Sequence, residues 1–88
     1  MNRTIKVAML DDHQSIIDGY LHRLSHLPEI DIVATAAFGE ALEPLLEEHT
    51  VDVLLLDVAV PIAPNDPNPY PILHMIPKLL QQYPALHV

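Results

Sequence analysis

Val51-Asp52-Val53-Leu54-Leu55-Leu56-Asp57 is the stretch of this sequence that most clearly indicates the fold. Its run of branched apolar residues is typical of a buried strand, and the run stops at an aspartate. Ile5-Lys6-Val7-Ala8-Met9-Leu10 has the same character and stops at two aspartates, Asp11 and Asp12. Both segments therefore predict buried strands whose carboxyl ends carry acidic side chains.

The residues between these strands have the spacing of helices. From His13 to Pro28 the apolar residues recur on one helical face: Ile16, Ile17, Tyr20, Leu21, Leu24 and Leu27. Ile30 to about Ala36 predicts a second strand, and Ala41 to about His49 predicts a second helix. Pro44 lies inside that helix, so we expect its regular part to start late or to be kinked.

The sequence after Asp57 changes character. Its prolines are so dense that we expect a stiff, extended loop rather than regular structure: Pro61, Pro64, Pro67, Pro69 and Pro71. A third helix is predicted from Ile72 to Tyr83, with Pro77 as a point of kinking. Leu86-His87-Val88 predicts the start of a fourth strand.

Alternating strands and helices predict an α/β fold with a parallel sheet, because each right-handed crossover carries a helix. The carboxyl ends of parallel strands form the usual binding crevice of such sheets. Asp11, Asp12 and Asp57 are therefore expected to converge there. Converging carboxylates repel one another unless a cation joins them, and Mg²⁺ prefers oxygen ligands of this kind.

Composition narrows the possible functions. The chain has 88 residues, enough for one domain over residues 1–88, and a net charge of −8 from twelve acidic and four basic residues. This surplus of negative charge argues against nucleic-acid binding by this segment. The sequence has no cysteine and no apolar run long enough to span a membrane, so we expect a cytoplasmic protein without a disulfide or thiolate site.

The acidic segments resemble the receiver domains of bacterial two-component response regulators. The matching stretches are Val7-Ala8-Met9-Leu10-Asp11-Asp12-His13 and Val53-Leu54-Leu55-Leu56-Asp57-Val58-Ala59-Val60-Pro61. Asp-Asp-His and the later Leu27-Pro28-Glu29-Ile30 are similar to the subfamily that carries a C-terminal helix-turn-helix output domain. This resemblance implies a flavodoxin-like, three-layer, doubly wound sheet, here truncated after the start of its fourth strand.

The resemblance also implies roles for individual residues. Asp57 would accept a phosphoryl group from a histidine kinase, and Asp12 and Asp57 would bind Mg²⁺, with Asp11 assisting through water. The backbone carbonyl of Ala59 would complete the protein ligands. The protein would signal through an output domain that controls transcription and would not be a turnover enzyme.

The chain departs from the family in two places. Val60 stands where a methionine is usual, and the proline-rich stretch is longer than usual and lacks glycine. The switch Ser/Thr and the phosphate-binding lysine would follow later strands, and Lys78 on the third helix cannot replace that lysine. Because the family's later strands would cover the apolar third strand, we also expect the chain to form a homodimer or to self-associate in another way.

Alternatives remain open at this stage. The chain could be a degenerate receiver that acts by protein contact without phosphorylation, or a fragment of a Mg²⁺-dependent phosphohydrolase. Ala59 argues against the second, because such hydrolases typically place another acid two residues after the nucleophile. His22 and His26, spaced i, i+4, could bind a metal, but a solvated helix face explains them better. His13 follows the acidic pair and could tune it, although its place near the start of the first helix is the simpler explanation.

Overall fold

A computed structural model describes residues 4–88. Three strands form a parallel sheet in the order β2-β1-β3: β1 (Ile5–Leu10), β2 (Ile30–Ala36) and β3 (Val53–Leu56). The helices are α1 (Gln14–Leu24), α2 (Leu42–Glu48) and α3 (Ile72–Gln82). After α3 the chain returns beside β3, where His87 pairs with Val53 in parallel. The predicted flavodoxin-like α/β fold is confirmed. The pairing of His87 is the start of a further parallel strand, the one that the sequence predicts after the third helix.

The sheet separates two helical layers because successive strand residues point to opposite faces. The main core is formed by alternate strand residues, by α2 and α3, and by one residue before β4 and one after α3: Ala8, Leu10, Ala36, Leu42, Leu45, Leu46, Leu54, Val60, Ile72, Leu79 and Leu86. On the other face α1 buries Ile17, and Met9 and Leu55 line a cleft together with Ile16 and Tyr20. Ile16 and Tyr20 each remain 46% exposed. The α1 face is therefore only partly covered by the described residues.

The helix ends differ slightly from the sequence expectation. The helix α1 ends at Leu24, where the Ser25 N–H still bonds to the Leu21 carbonyl and the Ser25 hydroxyl donates to the His22 carbonyl at 2.7 Å. Leu27, which fits the apolar period, lies beyond the helix. A single 3₁₀ turn (Gly39–Ala41) precedes α2. Pro44 is then the third residue of α2, where the missing N–H costs no intrahelical bond, so the late start is as expected.

The proline-rich stretch is not the extended loop that the sequence predicts; that expectation is wrong. Residues Pro61–Ala63 (β4) and Asp66–Pro69 (β5) form an antiparallel hairpin, with Pro64 and Asn65 in its turn. Proline at the second position of a turn is favourable because its φ is already fixed. A two-stranded ribbon also needs few donors, so residues without an N–H are tolerated there.

The base of the hairpin is attached to the core. The Tyr70 N–H donates to the Val60 carbonyl at 2.9 Å, and the Val60 side chain is 1% exposed. The Tyr70 ring lies against Gly39, at the start of the 3₁₀ turn, so closely that a Cβ there would overlap the ring. Burial, and then the nearby Glu43 charge, raises the pKa of Tyr70. These contacts hold the base of the hairpin in place next to the segment that follows Asp57.

Candidate functional site

The acidic residues lie where the sheet predicts them, at the carboxyl ends of two adjacent strands. Asp11 follows β1, and its N–H donates to the Ala36 carbonyl on β2 at 2.9 Å. Asp57 follows β3, and its N–H donates to the Leu10 carbonyl on β1 at 2.8 Å. Because each backbone is bonded to the neighbouring strand, the sheet itself sets the spacing of the acidic side chains.

Four side chains converge at this edge: Asp11, Asp12, His13 and Asp57. Ligand atoms of all four lie within 4.8 Å of one another. His13 Nδ1 is 2.9 Å from Asp11 Oδ1, 3.1 Å from Asp12 Oδ1 and 3.5 Å from Asp57 Oδ2. The three predicted aspartates are therefore brought together, with the imidazole nitrogen between them.

The cluster is partly shielded from solvent rather than buried. The side chains of Asp11, Asp57 and Asp12 are 14%, 24% and 34% exposed, and that of His13 is 60% exposed. The hydrogen bond to Asp11 and the Asp12 charge raise the pKa of His13. The charges of Asp11 and Asp57 add to this, and desolvation opposes it. The imidazole thus supplies positive charge to the carboxylates when it is protonated.

Short-range hydrogen bonds fix the orientation of the outer acidic groups. Asp57 Oδ1 accepts the Ala59 N–H at 3.0 Å, which leaves Oδ2 facing the cluster. Asp11 Oδ1 accepts the His13 N–H at 2.9 Å in the same two-residue pattern. Ala59 therefore touches Asp57 through its amide, beside the carbonyl that the family resemblance implies as a ligand.

His13 contacts the acidic pair, which sequence reasoning considered but did not favour. The only signal was its place directly after the two aspartates, which does not reveal the direction of the side chain. Its backbone carbonyl accepts the N–H groups of Ile16 and Ile17, so it caps the first turn of α1 while its ring reaches back to Asp11. A helix cap and a contact with the acidic cluster are combined in one residue.

The other candidates lie elsewhere. The rings of His22, on α1, and His26, in the turn after it, are 5.8 Å apart in a T-shaped arrangement on the exposed surface, outside the acidic cluster. Lys78 is exposed on α3. Among residues 4–88, those lining the cleft beside Asp11 and Asp57 include no lysine or arginine. The acidic residues of the second helical segment, Glu40, Glu43, Glu47 and Glu48, are all exposed.

The arrangement has definite chemical capabilities. Carboxylate oxygens from two strand ends, at this spacing, can bind a hard divalent cation. A carboxylate such as that of Asp57 is also a competent nucleophile toward phosphorus when nearby charge is neutralised.

Within the described part of the chain, no helix has the length and apolar character needed to cross a membrane.

Part of the chain is similar in sequence to known regulatory proteins. No family model matches the chain. It is 40% identical over 58 residues to the oxygen regulatory protein NreC of Staphylococcus epidermidis, covering 65% of this chain and 26% of that protein. The corresponding protein of Staphylococcus haemolyticus is 33% identical over 57 residues, with the same coverage. The chain thus spans about a quarter of the length of these curated relatives.

Solved structures support the fold. The RcsB response regulator of Salmonella typhimurium superposes with a TM-score of 0.79 at 21% identity, over 96% of this chain and 40% of that one. The isolated REC domain of RcsB from Salmonella enterica serovar Typhimurium gives 0.78 at 21% identity, over 96% and 58%. The receiver domain of Escherichia coli RcsB gives 0.79 at 19% identity, over 94% and 60%.

The fold and the sequence similarity point in one direction: the chain has the fold of a response-regulator receiver domain, and part of it is similar in sequence to a curated regulatory protein. Within that class it is similar to NreC in sequence and to RcsB in structure. The resemblance carried by the two acidic segments is therefore confirmed.

Proposed function

We propose that this chain is the phosphoacceptor module of a two-component system, with Asp57 as the residue that receives the phosphoryl group. The single observation that carries the proposal is the convergence of Asp57 with Asp11 and Asp12 at adjacent strand ends in a receiver-type fold. A carboxylate in this position is accessible, since the Asp57 side chain is 24% exposed, and its orientation is fixed by the Ala59 amide.

The transfer is a substitution at phosphorus. An Asp57 carboxylate oxygen forms a bond to the phosphorus of a phosphohistidine donor as the phosphorus–nitrogen bond breaks, and the released imidazole nitrogen takes up a proton. The protein contributes mainly position and electrostatics to such a transfer, because little covalent chemistry is left for other side chains. The chain acts as an acceptor in this scheme and does not turn over a substrate.

The donor set of the site fits Mg²⁺. This ion takes oxygen ligands at about 2.0–2.1 Å, usually one or two carboxylates plus waters. Asp12 and Asp57 would hold it directly, the Ala59 carbonyl would complete the protein ligands, and Asp11 would assist through water. When bound, the ion neutralises charge on the incoming phosphoryl group.

The proposed partners are those that the resemblance to receiver domains implies. The donor would be a histidine kinase in the cytoplasm, and the phosphorylated module would control a C-terminal DNA-binding output domain in the longer regulator. RcsB, which this chain resembles in fold, has been solved bound to promoter DNA. Pairing of two copies would cover the apolar residues left exposed on the α1 face.

The test is phosphorylation by a small donor, such as acetyl phosphate, in the presence of Mg²⁺. The wild-type chain should gain the mass of one phosphoryl group as a hydroxylamine-sensitive acyl phosphate, and Asp57→Asn should not. We expect occupancy well below one per chain, because the cleft lining among residues 4–88 holds no lysine or arginine to retain the phosphoryl oxygens.

Asp31→Asn is the matched control. Asp31 is an exposed aspartate on β2, away from the strand-end cluster, so its loss changes the net charge equally without touching the site. Equal phosphate incorporation in the Asp57→Asn variant would refute the assignment of Asp57. Absence of incorporation in the wild-type chain, with the fold intact, would instead favour a receiver that acts by protein contact alone.

A further inference from the structure

The short segment from Asp57 to Val60 is anchored to the rest of the domain at its two ends. The Asp57 N–H donates to the Leu10 carbonyl at 2.8 Å, and the Val60 side chain is 1% exposed. Val58, between these anchors, is 58% exposed, so the middle of the segment has little packing of its own. The Ala59 N–H, which donates to Asp57 Oδ1 at 3.0 Å, therefore depends on the two anchors for its direction.

The anchor at Val60 is completed by Tyr70, on the other side of the hairpin base. The Tyr70 N–H donates to the Val60 carbonyl at 2.9 Å, and the Tyr70 carbonyl accepts the Ile72 N–H at 2.8 Å, where α3 begins. The Tyr70 ring packs against the main core and lies against Gly39, with no space for a Cβ between them. Tyr70 is thus itself fixed by α3, the core and the 3₁₀ turn, and it can hold Val60 in place.

From these contacts we infer that Tyr70 is a positioning residue for Asp57. It holds Val60, and through the segment between them it sets the direction of the Ala59 amide and hence that of the Asp57 carboxylate. The inference rests on the proposed phosphoryl transfer and adds to it a residue that lies outside the acidic cluster. Misplacement of a reacting group by about 1 Å can cost about a hundredfold in rate, so an anchor behind this segment affects the chemistry.

Tyr83 is the matched control, because it separates positioning from packing. Like Tyr70, it is partly buried and packs against the main core. It follows α3 and precedes the residue that pairs with the start of β3, whereas Asp57 follows the end of β3. Tyr83→Ala should therefore lower the stability of the fold without disturbing Asp57. Pro64→Ala is a second control, since Pro64 lies in the turn of the hairpin, away from its base.

Two measurements are made on the 88-residue chain and its variants, under conditions in which circular dichroism shows each to be folded. The first is the NMR order parameter of the Ala59 N–H without a phosphodonor, which should fall from about 0.85 to below about 0.6 in Tyr70→Ala. The second is the initial rate of Asp57 phosphorylation by acetyl phosphate with Mg²⁺, which should fall at least about tenfold in Tyr70→Ala.

Further variants make the test specific. Tyr70→Phe keeps the ring that contacts Gly39 and should restore both values to those of the wild type. Val60→Ala removes the other half of the anchor with a smaller loss of packing, and it should lower both values as Tyr70→Ala does. The two controls, Tyr83→Ala and Pro64→Ala, should leave both values unchanged.

The outcomes separate this inference from the proposed function. An unchanged order parameter or an unchanged rate in folded Tyr70→Ala overturns the inference, and so does an equal loss in Tyr83→Ala. If the wild-type chain takes up no phosphoryl group, the proposed function fails. The order parameter of the Ala59 N–H then decides alone whether Tyr70 holds the segment that carries Asp57.

Discussion

The contact between Gly39 and Tyr70 gives the sharpest quantitative prediction. Neither glycine of the chain has a positive φ, so Gly39 is needed for space and not for its backbone conformation. A Cβ at Gly39 would overlap Cβ, Cγ and Cδ1 of Tyr70. Rotation of the ring cannot move the Tyr70 Cβ, which is fixed to the backbone, so relief requires a shift of the hairpin base or of the 3₁₀ turn. Gly39→Ala should therefore destabilise the fold.

The magnitude follows from two opposing effects. Overpacking of a tight contact costs about 1–3 kcal/mol, and replacing glycine by alanine in a helical turn returns at most about 1 kcal/mol. A net loss of about 1–2 kcal/mol is expected for Gly39→Ala. For a domain of this size each kcal/mol corresponds to about 4–8 °C in Tm.

Gly19→Ala is the matched control. Gly19 lies inside α1, and a Cβ there would meet nothing within 4 Å. Alanine should then stabilise the fold by about 0.5–1 kcal/mol, since it lowers the entropy cost of the helix. The same chemical change at the two glycines is thus expected to have opposite signs. Urea unfolding followed by circular dichroism, at one fixed protein concentration, measures both.

Tyr70→Ala provides the second arm of the test. The variant itself loses stability with the ring, but in its background Gly39→Ala should cost less than in the wild type, because the overlap with Cγ and Cδ1 is gone and only that with Cβ remains. The reasoning is refuted if Gly39→Ala is as stable as Gly19→Ala, or if its cost is unchanged when the Tyr70 ring is absent.

The remaining predictions concern the acidic cluster and the open surfaces. NMR titration of the metal-free chain should give His13 a pKa above its ordinary value of 6.5, and Asp11→Asn should lower it. Because folding raises the pKa of His13, protonation of His13 stabilises the fold at pH values below its unfolded pKa. This stabilisation is lost as the pH rises through the folded pKa. A His13 pKa at its ordinary value would contradict the contact between His13 and Asp11. Light scattering with size exclusion should show a mass above the 9.8 kDa monomer, because large apolar residues on the α1 face are exposed. A single monomeric species with a concentration-independent melt would refute self-association.

The sequence predicts the sheet and the convergence of the acidic residues well, because both depend on local patterns. The apolar runs of β1 and β3 and their abrupt acidic ends locate Asp11 and Asp57 without any long-range information. The sheet then determines the rest, since adjacent parallel strands end at the same edge. Whether this edge binds a cation and accepts a phosphoryl group stays a prediction until it is measured.

The features that sequence reasoning missed depend on side-chain direction and on tertiary context. The hairpin was missed because prolines count against strands, although Ala63-Pro64-Asn65-Asp66 carries a recognisable turn signal. A contact of His13 with the acidic pair was considered but not favoured, because adjacency in sequence does not tell where a ring points. The apolar period of α1 continues to Leu27, yet the helix stops at Leu24, so periodicity alone overestimated its length.

The sequence of strand β5 limits its ability to pair with another chain. Its sequence, Asp66-Pro67-Asn68-Pro69, includes two residues without an N–H, and the Asn68 N–H donates to the Asp66 carboxylate at 3.1 Å. Few donors are left for another chain to pair with, so this ribbon is protected against edge-to-edge aggregation. The outer strand of the hairpin beside Asp57 therefore makes a poor template for fibre growth, whereas β3 lacks such protection along most of its length.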